Sequence, residues 1–246
     1  QFDPKKIYDE TYFKGNEYEN YLRDREVFIN NYNRRIQFLI KKDKTRSFAR
    51  VLEIGCAYGF FGLALKDRFP ESVYCGIDIT PSPIQYGKET LGLDLICADY
   101  VTFRPEAGYS DIFMWDVIEH LPSPDLFLEK INADLEKSGR LYLTTGDISG
   151  LLPRIQGRNW RMIHPPSHLH YFSKKTISIL LREKGFKVVS VSYPSVSRSL
   201  KQIYYSLFLL NKKGRRFHKK IHGLISPKIN IPMNTFDIML VIAEKK

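Results

Sequence analysis

Between Val51 and Gly62 the chain reads Val-Leu-Glu-Ile-Gly-Cys-Ala-Tyr-Gly-Phe-Phe-Gly: an apolar run, a turn carrying glycines, then residues suited to open a helix. A buried strand that passes at once into a helix points to an α/β sheet. Small residues let such a turn adopt positive φ and let a ligand approach the backbone, while the helix begins with unpaired N–H groups aimed at it. The next apolar run, Val73-Tyr74-Cys75-Gly76-Ile77, ends at Asp78. About twenty residues separate this carboxylate from the turn, the interval at which an acid meets ribose hydroxyls in nucleotide-binding sheets. The turn departs from Gly-x-Gly-x-x-Gly, because Ala57 and Phe60 stand at the second and third glycine positions, and this disfavours a dinucleotide.

The pattern repeats downstream. Helices are expected through residues 63–68 and near 83–90, and strands over 93–98, 111–115 and 140–145. Between the last two lies a helix that Ser123 can cap, with Pro124 in its first turn, Leu128, Ile131 and Leu135 on one face, and Gly139 as its end. Ser173 can cap a helix carrying Ile177, Leu180 and Leu181, which Gly185 closes before a strand over 186–191. Strand–helix alternation implies a mostly parallel sheet covered on both faces, with ligands at the carboxyl ends of the strands. A single domain over 1–246 is expected: a helical cap over 1–48, a cofactor-binding core over 49–194, a basic helical insertion over 195–234 and a final strand over 235–246. The cap is aromatic, with Tyr8, Tyr12, Phe13, Tyr18 and Tyr21, and can lie over the cofactor pocket or against the sheet edge.

Read as Glu53-x-Gly55-x-Ala57-x-Gly59, the turn resembles motif I of class I S-adenosylmethionine-dependent methyltransferases, acidic-x-Gly-x-Gly-x-Gly, with only the middle glycine changed. The segment Asp116-Val117-Ile118-Glu119-His120-Leu121 is similar to the D-V-[IL]-E-H-[LIV] signature of the branch that includes ubiquinone-biosynthesis O-methyltransferases and many sugar and polyketide methyltransferases. The resemblance covers about residues 50–187. It implies a Rossmann-like seven-stranded sheet with an antiparallel last strand, and S-adenosylmethionine as cofactor, released as S-adenosylhomocysteine. The implied cofactor residues are Glu53, which orients the turn or meets the methionine ammonium through water, then Gly55, Cys56, Ala57, Tyr58 and Gly59 in the turn itself. Asp78 and Ile79 follow at the ribose, Asp99 and Tyr100 beside the adenine, and Asp116 and Val117 beneath the methionine.

Methyl transfer from a sulfonium is an in-line displacement, so alignment matters most and a base is needed only where the nucleophile carries a proton. His120 is one candidate base. The others are His168 and His170, within His164-Pro-Pro-Ser-His-Leu-His-Tyr-Phe-Ser173, which resembles the H-x-x-H-L-x-x-[FY]-[ST] segment of the same branch. In an extended chain His168 and His170 point the same way, as metal ligands would. The spacing permits a metal site without establishing one, since no Cys or acid lies nearby in sequence to complete a shell, and no metal ligand is assigned. Arg154, Arg158, Trp160 and Arg161 precede the histidines, and no acid occurs over 148–182. Arg158, Trp160, Arg161, His164 and Tyr171 are therefore candidate acceptor contacts, suited to an anion such as a nucleotide-linked sugar, phosphate or carboxylate, with a solvated face as the alternative.

The formal charge of +11 is local: residues 196–228 hold nine Lys or Arg and no acid, leaving 29 basic against 27 acidic residues elsewhere. That pattern suits one contact surface rather than a protein wrapped in phosphate backbone, and nucleic acid is not expected as a partner. Nor does Asn-Pro-Pro-aromatic or Asp-Pro-Pro-aromatic follow the fourth strand. The apolar stretch over 200–210 with the cations after it is too short to span a bilayer but could rest on an anionic membrane, or cover substrate, or form a dimer contact. Three cysteines, Cys56, Cys75 and Cys97, at or near expected buried strand ends, argue against a disulfide framework and for a reducing cytosol. No amino-terminal leader is visible, although the chain opens on Gln1. The expected activity is methyl transfer to a small-molecule acceptor, on an oxygen of a sugar, lipid-linked or other anionic metabolite. The alternatives are a non-catalytic S-adenosylmethionine-binding protein docking through its basic segment, a nucleic-acid methyltransferase, and a nicotinamide-dependent dehydrogenase.

Overall fold

The computed structural model describes residues 21–208, 216–226 and 230–246. Helix α1 (Arg25–Lys42) precedes strand β1 (Arg50–Ile54), and the order continues with α2 (Phe60–Arg68), β2 (Val73–Asp78), α3 (Pro81–Leu91), β3 (Leu95–Cys97), β4 (Tyr109–Trp115), α4 (Pro124–Asp134) and β5 (Leu135–Gly146). Then come α5 (Leu151–Gln156), α6 (Lys174–Glu183), β6 (Phe186–Ser192), β7 (Val196–Ser199), α7 (Leu200–Phe208), α8 (Arg216–Leu224), β8 (Asn230–Met233) and β9 (Ile238–Lys245). Seven strands form one sheet in the order β3-β2-β1-β4-β5-β9-β6, in which β9 pairs antiparallel with both neighbours and the other pairings are parallel.

Strand periodicity explains why both faces are covered. Ile112 and Met114 of β4, Leu141 and Leu143 of β5, and Met239 and Val241 of β9 face one core with Leu128 and Ile131 of α4 and Ile177 and Leu181 of α6. The residues between them, Phe113, Trp115, Tyr142, Leu240 and Ile242, face a second core with Ile36 and Leu39 of α1 and Phe61 and Leu65 of α2. Apolar runs without polar alternation are what a sheet buried on both faces requires.

Helix α6 starts on the expected Ser173, in a capping box with Thr176, and Gly185 closes it at φ +84°. Three local expectations are corrected. Ser123 stands at the start of α4 without a side-chain cap bond, and α4 ends at Asp134 rather than Gly139. Leu135 already belongs to β5, whose register with β4 slips between the Tyr109↔Leu135 and Asp111↔Arg140 pairs, so Gly139 lies in an irregular stretch of strand. Cys97 is exposed, while Cys56 is buried and all three thiols are free.

Among its described residues the basic insertion holds two helices and also an antiparallel ribbon of β7 and β8. The Asn31 side chain of α1 donates to Ser197 O at 2.8 Å and accepts from Ser197 N–H at 2.7 Å, stapling the ribbon to the cap helix. Val196-Ser-Arg-Ser199 is too short and polar to read as a strand. Tyr8, Tyr12, Phe13 and Tyr18, and Lys212, Lys213 and Arg215 of the proposed membrane face, lie outside the described residues. Among the described residues no helix is long and apolar enough to cross a membrane.

Candidate functional site

The expected cofactor residues converge at the carboxyl ends of β1, β2 and β4. Gly55 (φ +73°), Ala57 (φ +47°) and Gly59 (φ +76°) all lie in the left-handed region, which coils the chain tightly between β1 and α2. Ile77 O accepts from Gly55 N–H at 2.8 Å and from Cys56 N–H at 3.2 Å, tying the turn to β2. A side-chain carbon at Gly55 would fall 2.5 Å from Val117 Cγ2, so only glycine lets β1 and the segment after β4 approach this closely. Asp78 is half-buried and accepts from Ala57 N–H at 2.9 Å and from Thr80 N–H at 2.9 Å, so the carboxylate fixes the turn as well as facing the strand ends.

Ala57 is the one departure from the glycine pattern, and its φ is a conformation that costs a residue with a Cβ about 1–2 kcal/mol. Ala57→Gly should raise stability by about 0.5–1 kcal/mol, part of the gain being offset by the more flexible unfolded chain. Urea unfolding checks this, and a loss of stability would show that the Ala57 methyl contributes packing that its strain conceals.

Glu53 is buried and accepts from the Tyr74 hydroxyl; burial raises its carboxyl well above the usual range. Tyr58 is buried, with its ring 5.5 Å from Tyr21 and 5.7 Å from Phe60, so the start of the cap stacks against the turn. Ile79 is half-buried and Asp99 exposed. The Tyr100 hydroxyl donates to Asp134 Oδ2 at 2.7 Å and its ring is buried in the core, which leaves its backbone rather than its ring at the end of β3.

Asp116 ends β4 at φ +56°, an unusual conformation for aspartate, held by Thr144: its N–H donates to Thr144 Oγ1 at 3.0 Å, and that hydroxyl donates to Asp116 Oδ1 at 2.9 Å. The exposed Asp116 carboxylate faces Arg35 of α1, 4.0 Å away. The buried Arg35 guanidinium lies 4.8 Å from the Trp115 ring centroid, and its Nε has no hydrogen-bond partner among the described residues. An exposed carboxylate beside a partly unsatisfied guanidinium suits a ligand that carries both an ammonium and a carboxylate. Nothing in the spacing of α1 singled Arg35 out.

After Val117 a single 3-10 turn (Ile118–His120) presents Glu119 and His120. The loop after β5 folds onto it, because Glu119 O accepts from Leu169 N–H at 2.8 Å and from His170 N–H at 3.1 Å. His168 thereby meets His120, ring centroids 4.5 Å apart and planes at 88°. His120 Nδ1 bonds Ser167 O at 2.9 Å and His168 Nδ1 bonds Met162 O at 2.8 Å. A carbonyl only accepts, so each Nδ1 bears the proton and the lone pair of the neutral ring belongs to Nε2. Burial holds His120 below its ordinary pKa. Glu119 is buried, and burial together with Asp116 pushes its carboxyl up to about 8. His164 bonds Ser167 Oγ at 2.8 Å and helps shape the loop. His170 packs on Phe172 outside the cluster, so the expected pairing of His168 with His170 is replaced by one with His120: the loop turns where an extended chain was assumed. Glu119 was visible in the quoted motif but had been given no role.

The acceptor-loop candidates divide. Arg158 is exposed, and Tyr171 is exposed with its hydroxyl donating to His168 O at 3.2 Å. Trp160 is buried instead, its indole donating to Asp237 Oδ2 at 2.8 Å, and Arg161 bridges to the same carboxylate at 3.3 Å. Burial opposes charge on Asp237, but Arg161 and hydrogen bonds from Thr235 and Trp160 keep its pKa below the usual range. Trp160 thus anchors the loop to the start of β9. Asp237→Ala strands the Trp160, Arg161 and Thr235 donors and should cost about 3 kcal/mol in urea unfolding; a loss below about 1 kcal/mol would mean that the loop is held elsewhere.

A methyltransferase-domain family matches residues 21–191. A malonyl-[acyl-carrier protein] O-methyltransferase of Ilyobacter polytropus is 28% identical over 99 residues, 39% of this chain and 37% of that protein. A (S)-coclaurine N-methyltransferase of Papaver somniferum is 26% identical over 99 residues, 38% of this chain and 28% of that one. The chain therefore matches these curated relatives over well under half of their length. Magnesium protoporphyrin IX methyltransferase of Synechocystis, solved with bound S-adenosylhomocysteine, superposes with TM-score 0.62 at 14% identity over 98% of each chain. A S-adenosylmethionine-dependent methyltransferase of Archaeoglobus fulgidus superposes with TM-score 0.59 at 18% identity, over 92% of this chain and 99% of the other. The chain belongs to the methyltransferase-domain family and has the fold of S-adenosylmethionine-dependent methyltransferases.

Proposed function

We propose that the protein methylates an oxygen of a small, anionic metabolite. The observation that carries this reading is the Glu119–His120–His168 cluster, which stands beside Asp116 where the ends of β4 and β5 meet. Bound at the strand ends, the cofactor supplies a methyl group on positively charged sulfur. Asp78 suits the ribose diol, and Asp116 with Arg35 suits the two charges of the methionine end. An acceptor hydroxyl entering between the cluster and the exposed Arg154 and Arg158 would place its oxygen in line with the carbon–sulfur bond. As the oxygen–carbon bond forms, the carbon–sulfur pair returns to sulfur and the hydroxyl proton passes to the cluster, where a neutral imidazole or an ionised Glu119 can take it. Exposed Leu151 and Ile155 share α5 with Arg154 and favour an acceptor that joins an anionic group to an apolar one.

The test is transfer of isotopically labelled methyl from S-adenosylmethionine to a panel of hydroxyl, amine and thiol acceptors, with and without a carboxylate or phosphate. Turnover confined to anionic hydroxyl compounds is expected. Turnover on amines alone would overturn the oxygen assignment.

A further inference from the structure

Glu119 is the most exceptional buried group in the site. Its residue is 1% exposed, and among the described residues neither carboxylate oxygen meets a donor in full hydrogen-bond geometry, Thr145 being the side chain near enough to ease its charge. Burying a carboxylate so weakly supported is costly, and a like-charged neighbour, Asp116, adds to the cost. Yet Glu119 sits at the centre of a well-tied structure, its own carbonyl gripping two N–H groups of the histidine loop. One donor atom each from Glu119, His120 and His168 lie within 4.8 Å of one another. Both imidazoles are oriented by a backbone carbonyl at Nδ1, the outer support that metal-bound histidines commonly have.

We propose that Glu119, His120 and His168 bind a divalent transition-metal cation. Metal–nitrogen and metal–oxygen bonds of about 2.0–2.2 Å set donors of one tetrahedral shell roughly 3.3–3.6 Å apart, so the side chains close on the ion by rotamer adjustments of up to about 1.5 Å. One carboxylate and two imidazoles form a set suited to zinc, cobalt, iron(II) or manganese, whereas calcium and magnesium prefer all-oxygen shells. Three protein ligands leave positions open to oxygen ligands from solution. The sequence hid the site because its ligands come from the turn after β4 and the loop after β5, 48 residues apart between His120 and His168, and because His170 offered a nearer but misleading partner. Metal binding stands independently of the acceptor. Its use rests on the oxygen-methylation reading: an ion there would hold the acceptor oxygen and lower the pKa of its hydroxyl, so that with the ion bound the proton leaves to solvent rather than to the three side chains.

The full chain, stripped with chelator, is titrated with cobalt(II) and followed by visible d–d absorption and by thermal unfolding, with S-adenosylhomocysteine calorimetry run in parallel. One saturable equivalent is expected, displaced by zinc(II), with a rise in Tm because only the folded state assembles the site. Glu119→Gln and His120→Gln should each weaken cobalt binding about tenfold or more, while His170→Gln keeps the wild-type affinity. A folded wild-type protein with no saturable cobalt spectrum and no shift in Tm overturns the proposal. So does equal affinity in Glu119→Gln, or loss in His170→Gln with retention in His120→Gln. Should the cluster variants fail to fold, the wild-type spectrum and Tm shift decide alone. Homocysteine-product binding without cobalt binding rejects the metal and leaves the cofactor site standing.

Discussion

Gly55→Ala should reduce affinity for S-adenosylhomocysteine by at least about 100-fold and lower stability by about 2–4 kcal/mol. Two penalties coincide at this residue. Its φ of +73° disfavours any Cβ, and that Cβ would lie 2.5 Å from Val117 Cγ2. Valine is short and β-branched, with little rotamer freedom to yield, so either the turn unwinds or the segment carrying Asp116 is pushed aside. Both outcomes displace the groups proposed to meet the methionine end. Gly92 provides a control, since its φ is +63° but nothing lies within 4 Å of an added Cβ. Gly92→Ala should lose only about 1 kcal/mol and leave cofactor affinity unchanged. Equal effects at the two glycines would show that strain alone, and not the contact with Val117, makes Gly55 necessary.

The second large effect is expected at Asp78, where one carboxylate closes the turn through Ala57 N–H, steadies Thr80 N–H and, in the proposed function, binds the ribose. Asp78→Ala removes charge-assisted bonds of about 1.5–3 kcal/mol each, which corresponds to roughly a 100-fold loss of affinity from the bond to ligand with a further loss from the slackened turn. Asp78→Asn should fall between alanine and wild type, because its amide oxygen can still accept from one of the two N–H groups. Calorimetric titration with S-adenosylhomocysteine reads both, and an alanine variant with wild-type affinity would remove Asp78 from the site.

Much of the architecture was legible because apolar strand runs and helix punctuation are local signals. The turn at Gly55, the carboxylate at Asp78 and the Ser173 cap each depend on residues near in sequence, and each lies where the pattern placed it. What escaped notice depends on distant partners. Trp160 and Arg161 looked available to an acceptor until Asp237, on the approach to β9, was seen to hold them. Tyr100 looked like an adenine neighbour, yet its hydroxyl is engaged by Asp134 of α4. Arg35 carried no signal, because its position opposite Asp116 is set by how α1 packs on α2 rather than by any motif. The ribbon of β7 and β8 was missed for the same reason: its four-residue strands are defined by pairing and by Asn31, not by hydrophobic alternation.

The most direct test of the site as a whole is a crystal structure of the full chain with S-adenosylhomocysteine. The ribose diol should lie on Asp78, the amino-acid end between Asp116 and Arg35, and the sulfur should open toward Glu119, His120 and His168. A sulfur directed away from those three side chains, or an adenosyl group bound elsewhere than the ends of β1, β2 and β4, would contradict it.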